Sequence, residues 1–166
     1  MPQQPVQRRR PNFAPLIVLV VVVGLIAGGF WLFRDRLSGN VTNLQVGDCF
    51  DEPTAARVFS DIQHQPCNQP HYAEVVVLVT DPAPRDAPYP GDPRDHFLAL
   101  AFAQCLPAAA TFLGTAIDNR SELDVGYFYP TPEGWPGGDR QMTCYLYRED
   151  DVKLTSSLRN SGPGPT

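Results

Sequence analysis

Lysine is almost missing from this 166-residue chain: Lys153 stands alone beside twelve arginines. Basic residues of either kind are sparse from Arg34 onward, where 10 of them face 18 acidic residues and leave a net charge of −8. That balance leaves no basic patch to neutralise phosphates, which excludes nucleic acid as a partner. Histidine is limited to His64, His71 and His96, and none sits in a Gly-x-Ser-x-Gly or comparable nucleophile signature. No glycine-rich phosphate loop follows a strand-like run, so nucleotide chemistry is unsupported. Carboxylates are numerous, yet nothing in their spacing selects a pair for glycoside hydrolysis. No internal repeat is visible. The chain reads as a non-enzyme without a cofactor.

Charge is also nearly absent from the first 33 residues, where Arg8, Arg9 and Arg10 are the only charged side chains. Leu16 to Phe33 is an uncharged apolar run of 18 residues. As a helix it would span roughly 27 Å, close to the ~30 Å hydrocarbon core of a bilayer. Pro15 suits a first helical turn, and Trp31 suits the far membrane interface. The arginine cluster places the N-terminus inside, although Arg34 and Arg36 reduce the asymmetry. A cleaved signal peptide is the rival reading, with Ala27-Gly28-Gly29 as the small residues for a peptidase. Phe30 to Phe33 extend the apolar run past the usual 7–15 residues and favour an uncleaved anchor. The expectation is a single-pass cell-membrane protein: a cytoplasmic tail over 1–15, a membrane helix over 16–33 and a linker over 34–43. An extracytoplasmic domain over 44–158 follows, and then a disordered tail over 159–166, since Ser-Gly-Pro-Gly-Pro-Thr has nothing to bury.

All four cysteines, Cys49, Cys67, Cys105 and Cys144, follow the apolar run. Outside the cell an even count predicts two disulfides, and three pairings are possible. Cys49–Cys67, closing a local excursion, and Cys105–Cys144, tying a helix to a late strand, are favoured. Strands are expected over Val46–Phe50, Arg57–Gln63, Tyr72–Thr80, around Leu123–Tyr129 and around Met142–Tyr147. Val75 to Val79 is an unbroken apolar run suited to a strand covered on both faces. Asp92 as N-cap and Pro93 at the first position open a helix through Phe97, Ala101 and Cys105. Pro107 is expected to kink or break it. The fold class is therefore α+β: a small, mostly antiparallel sheet packed on one central helix, with two disulfides, preceded by a single transmembrane helix.

Three segments carry the polar residues worth weighing: Gly47-Asp48-Cys49-Phe50, Cys67-Asn68-Gln69-Pro70-His71-Tyr72-Ala73-Glu74-Val75, and Trp135-Pro136-Gly137-Gly138-Asp139-Arg140 before Cys144. Together with the cysteine in the central helix, this ordered pattern resembles the septum formation domain of actinobacterial envelope proteins, across about residues 44–158. Ser156-Ser157-Leu158-Arg159 is similar to that family's closing segment, with Asn160 where a glycine is expected. The resemblance implies a role in cell division at the septal envelope, and it carries no reaction or ligand with it.

His71, Glu74, Trp135, Asp139 and Arg140 form the candidate polar cluster. If the strand after Gly137-Gly138 lies beside the one starting at Tyr72, Arg140 reaches Glu74 and Asp139 accepts from His71. Such a cluster either pins the two halves of the domain or binds a ligand. Cys49, His64, Cys67 and His71 also match a two-sulfur, two-nitrogen zinc set, a reading weakened by the oxidising compartment. Two functions remain. The first is a membrane-anchored interaction module that docks onto another envelope or division protein. The second is an extracytoplasmic sensor that reads a small molecule or metal. Tyr127, Phe128, Tyr129 and Trp135 flank the last loop and could serve either: a flat exposed aromatic patch would favour the first, and a concave pocket lined by the charged set the second.

Overall fold

The computed structural model of the chain describes residues 22–24, 41–52 and 62–164. Val22 to Gly24 are helical; the rest of the expected membrane helix, the cytoplasmic tail and most of the linker lie outside the described residues. So does most of the expected Arg57–Gln63 strand.

Five strands form one sheet: β1 (Cys49–Phe50), β2 (His64–Gln65), β3 (Ala73–Thr80), β4 (Leu123–Phe128) and β5 (Gln141–Arg148). Their order is β2-β1-β3-β5-β4, and every neighbouring pair is antiparallel. The second strand thus falls just after the predicted segment, and the first is confined to Cys49–Phe50. Gly47 has φ +95° and its amide donates to the Val75 carbonyl, so the backbone turns before the ladder begins.

The period of two in β4 and β5 sorts the side chains between the faces. Met142, Cys144 and Leu146 join Leu123, Val125 and Tyr127 beneath the helix, while Tyr145, Tyr147 and Phe128 point to the opposite face. A register shift in β3 between Val75 and Val77 sends both Val76 and Val77 to the helix side. The apolar run at 75–79 therefore covers both faces, as its lack of alternation predicts. On the face away from the helix, Phe50 lies 5.3 Å from Tyr145 and Tyr72 stacks 5.6 Å from Tyr147.

The central helix α1 (Pro93–Leu113) has 21 residues and, among the described residues, is the one helix long and apolar enough to cross a membrane. Its burial marks it as a core helix: Phe97, Ala101, Cys105, Ala109, Phe112 and Leu113 are packed on the sheet. Asp92 caps it by accepting from the Asp95 amide at 3.1 Å, with Pro93 opening the first turn. Pro107 does not break it. The turns over Ala101–Cys105 widen to a π-helix, and the Leu106 amide donates to the Ala101 carbonyl. A proline lacks the N–H and crowds the carbonyl four residues back, and a one-residue widening just before it accommodates both defects. Gly114, with φ +73°, closes the helix.

The expectation of a disordered tail is corrected by the residues up to Gly164. The amides of Asn160 and Gly162 donate to the carbonyls of Phe112 and Leu113 at the end of α1. Arg120 holds the Ser161 hydroxyl at 2.7 Å and the Gly162 carbonyl at 3.2 Å. The segment buries little, but its backbone satisfies helix carbonyls that would otherwise lack a donor. Composition alone does not reveal that role.

Candidate functional site

Both disulfides form as favoured: Cys49–Cys67 and Cys105–Cys144. The second joins the middle of α1 to the centre of β5, and both its sulfurs are buried. The first braces the excursion between β1 and β3. Its sulfurs and the Glu74 carboxylate lie within 4.8 Å of one another. Two sulfurs bonded to each other offer no thiolate for zinc, so the two-cysteine metal set is corrected. His64 faces Asp48 at 3.5 Å instead.

The expected cluster of His71, Glu74, Asp139 and Arg140 does not assemble. Glu74 pairs with Leu146 across the ladder, whereas the Asp81 amide donates to the Arg140 carbonyl beyond the other end of β3. Seven residues of strand separate the two positions, roughly 20 Å at 3.3 Å per residue. Two polar knots result, one at each end of the β3–β5 pair. Chain order shows that both motifs adjoin strands, but only the register shows which ends meet.

At one end, Glu74 is buried on the helix face, where its carboxylate accepts from the Ser157 hydroxyl and the Leu158 amide, each at 2.6 Å. His71 exchanges backbone hydrogen bonds with Leu154, and its Nδ1 donates to the Gln69 carbonyl at 2.7 Å. These two residues hold the C-terminal strap, Leu154–Gly162, against the sheet.

At the other end, Arg140 donates to four carbonyls, those of Trp135, Asp139, Pro84 and Arg85, at 2.8–3.1 Å. Its guanidinium also lies over the Trp135 ring, 3.5 Å from the centroid. Trp135 is buried and donates from Nε1 to the Ala87 carbonyl at 2.8 Å. Asp139 accepts from the Gln141 amide, the turn-capping role expected of an aspartate after Gly-Gly. Arg140 therefore pins the proline-rich 81–91 loop to the turn before β5. Asp81, buried, accepts from the Ala83 amide and meets His96 Nε2 at 2.5 Å. The sequence reading missed this pair, although an aspartate ending a strand and a histidine in the first turn of the next helix were visible signals.

What remains on the outside is of a different kind. Leu98 and Phe102, one turn apart on α1, are 38% and 62% exposed. Tyr129 is exposed and stacks on the buried Phe97 at 4.8 Å. A groove of about 480 Å³ opens beside the second half of α1, lined by Val46, Val76, Ala108, Phe112, Arg159 and Asn160 among others. None of His71, Glu74, Asp139 or Arg140 lines it.

The aromatic face has its own electrostatics. Burial pushes the Tyr145 hydroxyl well above the ordinary phenol range, with neighbouring Tyr72 and Tyr147 acting in the same direction. Tyr147 is pushed up to about 12 by burial and by Asp124, which accepts its hydroxyl at 3.2 Å.

A family model described as septum formation matches residues 46–162, a span that includes the strap and reaches past the predicted domain edge. No curated protein and no solved structure matches the chain.

Proposed function

The chain belongs to the septum formation family, and from that membership we propose a membrane-anchored, extracytoplasmic interaction module that docks onto another protein of the dividing cell envelope. A role related to septum formation comes with the family. Anchoring is supported by the uncharged run Leu16–Phe33 behind Arg8–Arg10. Two disulfides are in keeping with an oxidising compartment outside the membrane. A scaffold role without catalysis accords with the internal engagement of the polar motifs.

One observation carries the docking reading. His71, Glu74 and Arg140 are buried and held by hydrogen bonds within the fold, and the half-buried Asp139 caps a turn, while uncharged Leu98 and Phe102 face outward on the central helix. Apolar groups presented on a rigid element are suited to a partner surface rather than to a small polar ligand.

Photo-crosslinking amino acids placed at 98 and 102 in living cells test the reading. The expected outcome is adducts with one or two envelope proteins, strongest during division. Adducts at neither position, with normal protein levels, would count against docking. Protease added to intact spheroplasts should digest residues 34–166 and spare the tail; protection of the domain would reverse the orientation.

A further inference from the structure

The two ends of the motif pattern meet at a place the fold itself does not require. Gly47, before the first cysteine, and Arg159, in the closing segment, come together over the groove: a Cβ at Gly47 would lie 3.0 Å from Arg159 Nη2. Glycine here answers two demands, the φ of +95° and the space for a guanidinium. Arg159 lies over the Phe112 ring, 4.4 Å from its centroid, and makes no ion pair among the described residues. Arg120, Arg148 and Lys153 each have a carboxylate partner. Arg85, Arg94 and Arg140 likewise make no ion pair among the described residues, so what distinguishes Arg159 is its place at the lip of an apolar groove.

The groove combines apolar Val46, Val76, Ala108 and Phe112, of which Val76 and Phe112 are buried, with the Arg159 cation and the Asn160 side chain, both on exposed residues. The strap fixes their backbone, because the Leu158 amide is held by Glu74 and the Asn160 amide by the Phe112 carbonyl. A volume of about 480 Å³ lies within the range of ligand-sized clefts. The cation stands directly on the Phe112 ring, so a complementary ligand carries its negative charge next to its apolar group. A chain terminus with an apolar last residue has that arrangement, with the α-carboxylate one bond from the carbon that bears the side chain.

We infer that the groove between α1 and the strap captures the C-terminal carboxylate of a partner protein ending in an apolar residue, with Arg159 pairing the carboxylate and Val76 and Phe112 taking the side chain. This inference rests on the docking reading and names the chemistry of one partner segment.

The test uses the full chain in phosphatidylcholine nanodiscs. Fluorescein-labelled pentapeptides ending in Val, Leu or Phe are titrated by anisotropy, each as free acid and as amide. At least one free acid should bind, about three- to tenfold more tightly than its amide. Arg159→Gln should remove that difference, and Ala108→Trp, which fills the groove, should abolish binding of both forms. Both variants should keep the parental unfolding midpoint. The inference is overturned if no free acid binds below millimolar concentration. It is equally overturned if acid and amide bind alike, or if Arg159→Gln changes nothing. Arg159-dependent binding to anionic vesicles, with no peptide bound, would assign the groove to lipid and also overturn it. Phe102 crosslinks that persist in both variants while the peptides fail would show that docking stands and the groove is unused.

Discussion

The Leu158 amide donates to the Glu74 carboxylate at 2.6 Å, across 84 residues of sequence. With the Ser157 hydroxyl on the other oxygen, one buried acid holds the strap that caps α1 and walls the groove. Glu74→Ala leaves two donors without their charged acceptor and should cost about 2–4 kcal/mol. Thermal unfolding should show it as a midpoint lowered by roughly 10 °C or more. A drop of under about 2 °C would mean that the strap is held elsewhere.

Arg140 is the corresponding pin at the other end of the β3–β5 pair. Four carbonyls and one indole face meet a single planar fork, a geometry that an ammonium cannot reproduce. Arg140→Lys should therefore destabilise by about 1–3 kcal/mol although the charge is retained. Lys matching the parent in denaturant unfolding would show that charge rather than shape is what the site needs.

The separation of the two knots makes a sharper forecast. Glu74→Ala and Arg140→Ala share no partner and lie roughly 20 Å apart along the strand. Their costs should add to within about 0.5 kcal/mol in a double-mutant cycle. A coupling above about 1 kcal/mol would restore the single cluster expected from the sequence.

The two disulfides should differ in both stability and access. Loops of 18 and 39 residues predict about 3 and 4 kcal/mol respectively on the chain-entropy account. Cys105 and Cys144 are both buried, whereas Cys67 is half-exposed. Mild reductant followed by alkylation and peptide mapping should label Cys49 and Cys67 first. Early labelling of Cys105 would contradict the buried core.

Tyr147 and Tyr145 give a pH signature. Their folded-state values lie above the ordinary phenol value of 10, Tyr147 at about 12 and Tyr145 higher still. Below pH 10 both states are protonated and stability is unaffected. Above it the unfolded chain loses protons that the folded chain keeps, so stability falls as pH rises from 10 toward 12 and beyond. Absorbance at 295 nm should show these phenols ionising with unfolding, and Tyr147→Phe should lessen the loss.

Much of this architecture was readable from the chain alone. Asp92 and Pro93 announced the start of α1, the unbroken apolar stretch at 75–79 announced a strand covered on both faces, and both disulfides followed the favoured pairing. These features rest on local rules: capping chemistry, the two-residue strand period, and the loop that a cysteine pair closes. Local rules also misled. Pro107 was expected to interrupt α1, and a π-turn absorbs it instead. The Ser-Gly-Pro-Gly tail was expected to lie free, and it caps the helix.

Residue types and their order determined that this protein has an acidic, cysteine-paired α+β domain behind an apolar run, and the family to which its motifs belong. Tertiary structure decided which motif residues meet. The reason is the register: β3 and β5 run antiparallel, so two motifs that each adjoin a cysteine end up at opposite ends of one ladder. Gly126 shows the same limit on a single residue. A glycine inside a strand weakens it in isolation, and in the fold Gly126 is the space where the Tyr145 ring lies. Only the pairing of β4 with β5 puts the ring there, and no local preference of either residue encodes that pairing.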